Sequence, residues 1–432
     1  MIFPVEIWEK ILHKTEALSL TRLRSVNGTF NAIITKHLQK SDAWYRQCEK
    51  DIPKMYWFLL LENSFHAVTL EKQFKDKKEY DRYDFKIWVT LYRAWTKWKN
   101  VQSYDKYITE DFSPIPEHRL SERITCCSTL GELVAVGSSE GYVRVYNLRT
   151  HELVFLVDQY DHAESVKLWV QGKNYDNIIL IVTSVYKTVR IWDIVQQNTL
   201  ISKRPGLVMC AGHSYYCIGL QGKTILARNV ASEKNFSVTL VMNYYNSKSN
   251  IPTIQCASNN VYPINMTINM NELCCLYNNG LYCEIDLQKV CESNSFYEPQ
   301  ITYLGAPKNQ NIRSYHLFNP HVAFCITDRG HLGISVYKSE WQMYNVFPFL
   351  EGSISAILFH VSLLVIGLDY GTVCLYSVKD PRGLREINFK KSKKISIANE
   401  PIVSINILEI YGDQRLLVTT KQTVYNIKLD YE

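Results

Sequence analysis

An eight-residue apolar pattern recurs seven times along this chain, and no other feature limits the fold as much. Its copies occupy 141–148, 187–194, 223–230, 280–287, 332–339, 371–378 and 422–429. The sixth positions are Tyr146, Trp192, Arg228, Ile285, Tyr337, Tyr376 and Ile427. Their mean spacing of about 47 residues is close to that of a four-stranded propeller blade. A second apolar run precedes most copies, for example at 133–137, 178–183, 273–276, 322–326, 363–367 and 416–419. Each pair reads as strand, tight turn, strand.

A single blade leaves its sheet faces exposed unless neighbours stack on it, so such repeats close into a ring. The last copy ends almost at the end of the chain and leaves room for three strands of its blade. A strand near 116–120 is expected to supply the fourth and so to remove an open edge.

Before residue 106 the period is helical. Val5, Ile7, Trp8, Ile11 and Leu12 form an apolar stripe behind Pro4, which suits a first helical position. Ser19 is expected to cap a second helix carrying Leu20, Leu23 and Val26. Phe30, Ile33, Ile34 and Leu38 mark a third, and Asp42 caps a fourth carrying Trp44 and Tyr45. Residues 51–105 read as a helical linker rich in aromatics. Trp88, Tyr92 and Trp95 fall on one helix face, which is expected to pack on neighbouring helices. The domain plan is therefore 1–50, 51–105 and 106–432.

Composition narrows the classes. The net charge of +6 comes from 48 basic and 42 acidic residues, too balanced overall to point to nucleic acid. Twelve cysteines lack any C-x-x-C spacing, and many lie in apolar runs, so buried thiols are expected in a reducing compartment. The start of the chain lacks a basic, apolar leader pattern, and no apolar run approaches the roughly 18 residues of a membrane span. A cytoplasmic or nuclear location is expected.

The residues also carry a resemblance. Val189 with Ile191-Trp192-Asp193 resembles the Trp-Asp signature of WD repeats, and the turn from Gly137 to Gly141 resembles that family's hairpin turn. The run from Phe3 to Leu12, the run from Ser19 to Val26 and the pair Trp44-Tyr45 are similar to the F-box motif. The fold expected is a small all-α N-terminal F-box and helical linker followed by an all-β seven-bladed WD-repeat propeller. F-box followed by WD repeats resembles the substrate receptors of cullin-based ubiquitin ligases. The resemblance implies that Pro4, Val5, Ile7, Ile11, Leu20 and Leu23 lie at positions contacting a Skp-type adaptor, and through it a cullin. Some of these must instead form the helices' own core. It also implies a protein substrate, one that could be phosphorylated, held at a propeller rim. Aligning the repeats puts Lys167, Lys187 and Arg313 near such rim positions.

Enzyme patterns are poorly served. Gly137-x-Ser139-x-Gly141 matches a hydrolase elbow only in letters, because that elbow needs a helix after the serine and a strand is expected here. There is no phosphate-loop motif and no H-E-x-x-H, and the 11 histidines show no metal spacing. No cofactor, metal site or catalytic set is therefore expected. The rival to the ligase reading is a WD-repeat interaction scaffold with no ligase role.

Overall fold

The computed structural model describes residues 5–26, 28–40, 42–61, 85–104, 106–119, 121–171, 177–185, 189–194, 198–199, 214–218, 224–232, 235–239, 253–257, 263–269, 272–277, 280–286, 300–305, 310–410 and 413–430. The chain divides into two compact units, Met1–Trp98 and Lys99–Glu432.

The first unit is helical: α1 (Val5–Lys14), α2 (Ala17–Leu23), α3 (Gly28–Lys40), α4 (Ala43–Asp51), α5 (Trp57–Leu61) and α6 (Phe85–Lys99). Leu12, Leu20, Ile34 and Leu38 turn inward and are buried. Thr15 ends α1 by donating its hydroxyl to the Ile11 carbonyl (2.8 Å). The next helix therefore starts sooner than expected, at Ala17 with Glu16 at the cap, and Ser19 lies within it. Asp42 does precede α4, but its carboxylate meets Arg46 one turn on (3.2 Å) and makes no capping bond.

The aromatic face of α6 packs as its spacing requires. Trp88 meets Tyr45 and Trp57 at ring separations of 5.0 and 5.3 Å, and Trp95 stacks on Tyr56 at 6.0 Å. Tyr92 donates to Asp51 (2.8 Å), and the Cys48 thiol donates to the Trp88 carbonyl (3.3 Å). The aromatic helix thus packs on α4, α5 and the turn between them.

Among its described residues the second unit contains seven four-stranded antiparallel sheets, and in six of them the strands neighbour one another in chain order. The first consists of β2 (Ile124–Leu130), β3 (Leu133–Ser138), β4 (Tyr142–Asn147) and β5 (Leu153–Asp158). The recurring pattern forms the third strand of six sheets, while the copy at 223–230 forms the second strand of its sheet (Thr224–Ser232). Three of its copies open on Gly141, Gly280 and Gly371, with φ of +89°, +81° and +81°. A Cβ on Gly371 would lie 2.1 Å from the Ala398 carbonyl oxygen, so glycine is required at this turn. In the fifth copy the strand stops at Val336, leaving Tyr337 in the following turn with φ +52°.

The seventh sheet joins the two ends of the unit. β26 (Ser404–Ile410), β27 (Asp413–Thr419) and β28 (Val424–Asp430) are completed by β1 (Lys106–Phe112). The register runs from Lys106 opposite Asp430 to Phe112 opposite Val424. The latch is therefore real, but it lies about ten residues earlier than the expected 116–120. That segment instead turns, with the Arg119 N–H donating to the Pro116 carbonyl (2.9 Å).

Inner strands of successive sheets pack together: β2 against β26 and β6 (Ala163–Gln171), and β22 (Ile354–His360) against β26 and β18 (Ile312–Asn319). Central strands are covered on both faces. All six residues of β23 (Leu363–Leu368) are buried, and Cys274 and Cys275, which point to opposite faces, are both fully buried.

Candidate interaction surfaces

The residues matched to adaptor contacts separate by environment. Ile7 and Ile11, one turn apart on α1, are 40% and 44% exposed, and Leu23 at the end of α2 is 39% exposed. Val26, just past α2, is 62% exposed and belongs with them, although the sequence reading had it only as a helix position. Leu20 is corrected: it is fully buried beside Ala17 and forms the helices' own core, so it offers no surface. Val5 opens α1. Pro4 lies outside the described residues.

The three cations placed near a rim do not form one cluster. Lys187 lies outside the described residues. Lys167 lies in β6, in the second sheet, exposed and paired in register with Ile181. Arg313 lies in β18, in the fifth sheet, at a break in the register between Ile312 and Ser314. Its guanidinium donates to the Ile354 carbonyl at the start of the next sheet. Thr125 sits at the same break in β2, and its hydroxyl donates to Ala163 at the start of β6 (2.5 Å). In these two sheets the bulged position of the inner strand staples one sheet to the next. Sequence alignment finds that position, but not the neighbouring carbonyl it serves.

The segment from Gly137 to Gly141 turns from β3 directly into β4, so Ser139 is in a hairpin. Its hydroxyl accepts from the Arg123 N–H (3.0 Å). Burial pushes the Cys126 thiol up to about 12 and the Cys374 thiol up to about 11, so neither is a ready thiolate nucleophile at neutral pH. Among the described residues, no group of three or more His, Cys, Asp or Glu side chains is arranged to hold a metal.

One surface was not singled out from the sequence. The segment 379–394, which leads from β24 (Thr372–Ser377) into the start of β25 (Lys393–Ser396), holds seven basic and two acidic residues. That excess of five compares with six for the whole chain, so the mild overall charge hides a local concentration. Lys379, Arg382, Arg385, Lys390, Lys391 and Lys394 are exposed. Lys393 instead turns back. It donates to the Gln102 carbonyl (3.3 Å) and to that of Tyr104, with its ammonium 3.6 Å from the Tyr104 ring centre. Between these segments opens a cavity of about 560 Å3, with Gln102, Ser377, Lys379, Arg382, Asn388 and Lys391 on its walls.

No protein-family model matches the chain, and no curated protein does. Among solved structures it is similar to Raptor from Chaetomium thermophilum, with a TM-score of 0.54 at 10% identity. The match covers 99% of this chain and 42% of that one, so this chain spans less than half the length of its neighbour. At that identity the likeness concerns the fold alone. It agrees with helices followed by a propeller-like all-β unit of four-stranded sheets. Among the described residues, no helix is long and apolar enough to cross a membrane.

Proposed function

We propose that this chain is the substrate-recognition subunit of a cullin-based ubiquitin ligase, with no covalent step of its own. The first helices dock a Skp-type adaptor. The seven sheets close as a seven-bladed WD-repeat propeller and hold the target protein. The receptor raises the target's effective concentration beside an activated ubiquitin carrier.

The observation that carries this reading is the division of apolar side chains on α1. Leu12 is 2% exposed, while Ile7 and Ile11 keep 40% and 44% of their surface open. A helix that presents one apolar face to its own core and another outward is suited to a helix-and-groove contact, in which apolar burial supplies the affinity. The seven sheets with their terminal latch support the propeller half of the reading.

The test is co-purification of the full chain with a Skp-type adaptor. Wild type retains the adaptor, and Ile11→Asp loses it without a change in melting temperature. Equal retention by the variant removes the docking assignment and leaves the interaction scaffold as the reading.

A further inference from the structure

The cavity beside the β24–β25 connection lies apart from the surfaces used above. It follows β24 at the same end of the sixth sheet as the turn between β22 and β23, whereas the Arg313-to-Ile354 staple lies at the opposite end. The walls have a fixed framework. Asp380 accepts from the backbone N–H groups of Arg382 (2.7 Å) and Gly383 (3.1 Å), which holds the turn at Pro381–Glu386. The Tyr344 hydroxyl donates to the Arg385 carbonyl (2.7 Å), tying the same turn to the fifth sheet. Tyr376 and Phe389 pack edge to face beneath it at 5.4 Å.

On this framework stand exposed cations. Among the described residues, no carboxylate pairs with Lys379, Arg382, Arg385, Lys390, Lys391 or Lys394. Lys379, Arg382 and Lys391 reach the cavity wall from three separate points of the connection. Asp380 and Glu386 also face it, but the Asp380 carboxylate is occupied by its turn. Ser377, Asn388 and Gln102 add neutral hydrogen-bonding groups.

The surroundings select among anions. Phe389 and Tyr376 are 4% and 2% exposed, so the cavity walls offer no open ring on which a nucleic-acid base could stack, and the exposed Tyr337 outside them already has the Arg382 guanidinium 5.6 Å from its ring centre. Leu384 is fully buried, so it provides no apolar wedge for a bilayer. What remains is a concave site of a size suited to a small molecule, with cations converging from several directions. Ammonium and guanidinium groups arranged in this way fit several phosphates on one compact frame.

We infer that this cavity binds a compact, multiply phosphorylated polyol of the inositol-polyphosphate class. That chemistry has two sources, a free soluble molecule and the headgroup of a phosphorylated inositol lipid.

The test uses the full chain and fluorescent inositol hexakisphosphate, titrated by polarisation at physiological salt. Wild type binds, and the triple change Lys379→Gln, Arg382→Gln, Lys391→Gln weakens binding roughly tenfold to a hundredfold. The single reversal Lys391→Glu gives a smaller loss, and it keeps the test intact should the triple variant fold poorly. Arg123→Gln, an exposed position just before the first sheet, leaves binding unchanged. Vesicles carrying a bisphosphorylated inositol lipid then distinguish the sources: capture of the chain assigns a lipid headgroup, and binding of the soluble probe alone assigns a free ligand. The inference is overturned if wild type does not bind the probe, or if the Lys391→Glu variant binds as tightly as wild type. It is also overturned if phosphatidylserine vesicles of equal charge, or a DNA duplex, compete as well as the inositol phosphate.

Discussion

Arg144 and Glu122 form a two-pronged ion pair inside the second unit. Arg144 Nη1 lies 2.5 Å from Glu122 Oε1, Nη2 lies 3.0 Å from Oε2, and the residues are 5% and 0% exposed. Burial alone would raise the Glu122 carboxyl. The hydrogen bonds from Arg144 and Ser138, with the charges of Arg144 and Arg119, outweigh it and hold the carboxyl below its ordinary value. Removing Arg144 leaves the buried Glu122 carboxylate with the longer, 3.8 Å contact to Arg119 in place of the two-pronged pair. Arg144→Leu should therefore cost about 3–5 kcal/mol, while Arg144→Leu with Glu122→Leu should cost much less. Denaturant unfolding of the two variants checks this.

Stability should fall as the solution is acidified, starting well above the carboxylate range. Burial lowers His316 to about 4, helped by the charge of Arg313, and burial lowers His360 to about 4. Between the unfolded value near 6.5 and about 4, the unfolded chain takes up protons that the folded chain refuses. Stability is thus fully present above about 6.5 and is lost as pH drops through this window. Glu122 acts lower still: its contribution is present above the ordinary carboxylate value and disappears as pH falls through the depressed one. A melting temperature that declines by several degrees from pH 7 to pH 5 is expected, and His316→Gln with His360→Gln should flatten that slope.

The latch makes a separate demand. β28 has a partner on each side, β27 and β1, so the N–H groups along it face one ladder or the other. Asn426, buried and opposite both Leu417 and Glu110, lies at its middle. Asn426→Pro should cost about 3 kcal/mol or more, by removing a donor and clashing with the ladder. Thermal unfolding of the variant reads it. An unchanged melting temperature would argue against the β1–β28 closure.

Much of the fold was legible because the same physics repeats. Glycines at the first position of three copies mark turns that need positive φ, and apolar runs such as the one at 363–367 mark strands buried on both faces. The latch was misplaced for a physical reason. Six of the seven residues of β1 are exposed, so it lacks the alternation that reveals a half-buried strand. The candidate sites were less legible. Ile11 and Leu20 look alike in a helical stripe, and only packing shows that one is open and the other is core. Arg313 looks like a free rim cation until its neighbour's carbonyl is in view. The basic connection was visible in the letters of 379–394, but a whole-chain charge balance averaged it away.

The central claim is that the open apolar face at the start of the chain is where an adaptor sits. Hydrogen exchange of the full chain, with and without a purified Skp-type adaptor, tests it most directly. Amides in α1 and α2 are expected to exchange more slowly in the mixture, with those of the seven sheets unchanged. No slowing in those two helices at saturating adaptor, or protection confined to the sheets, would contradict it.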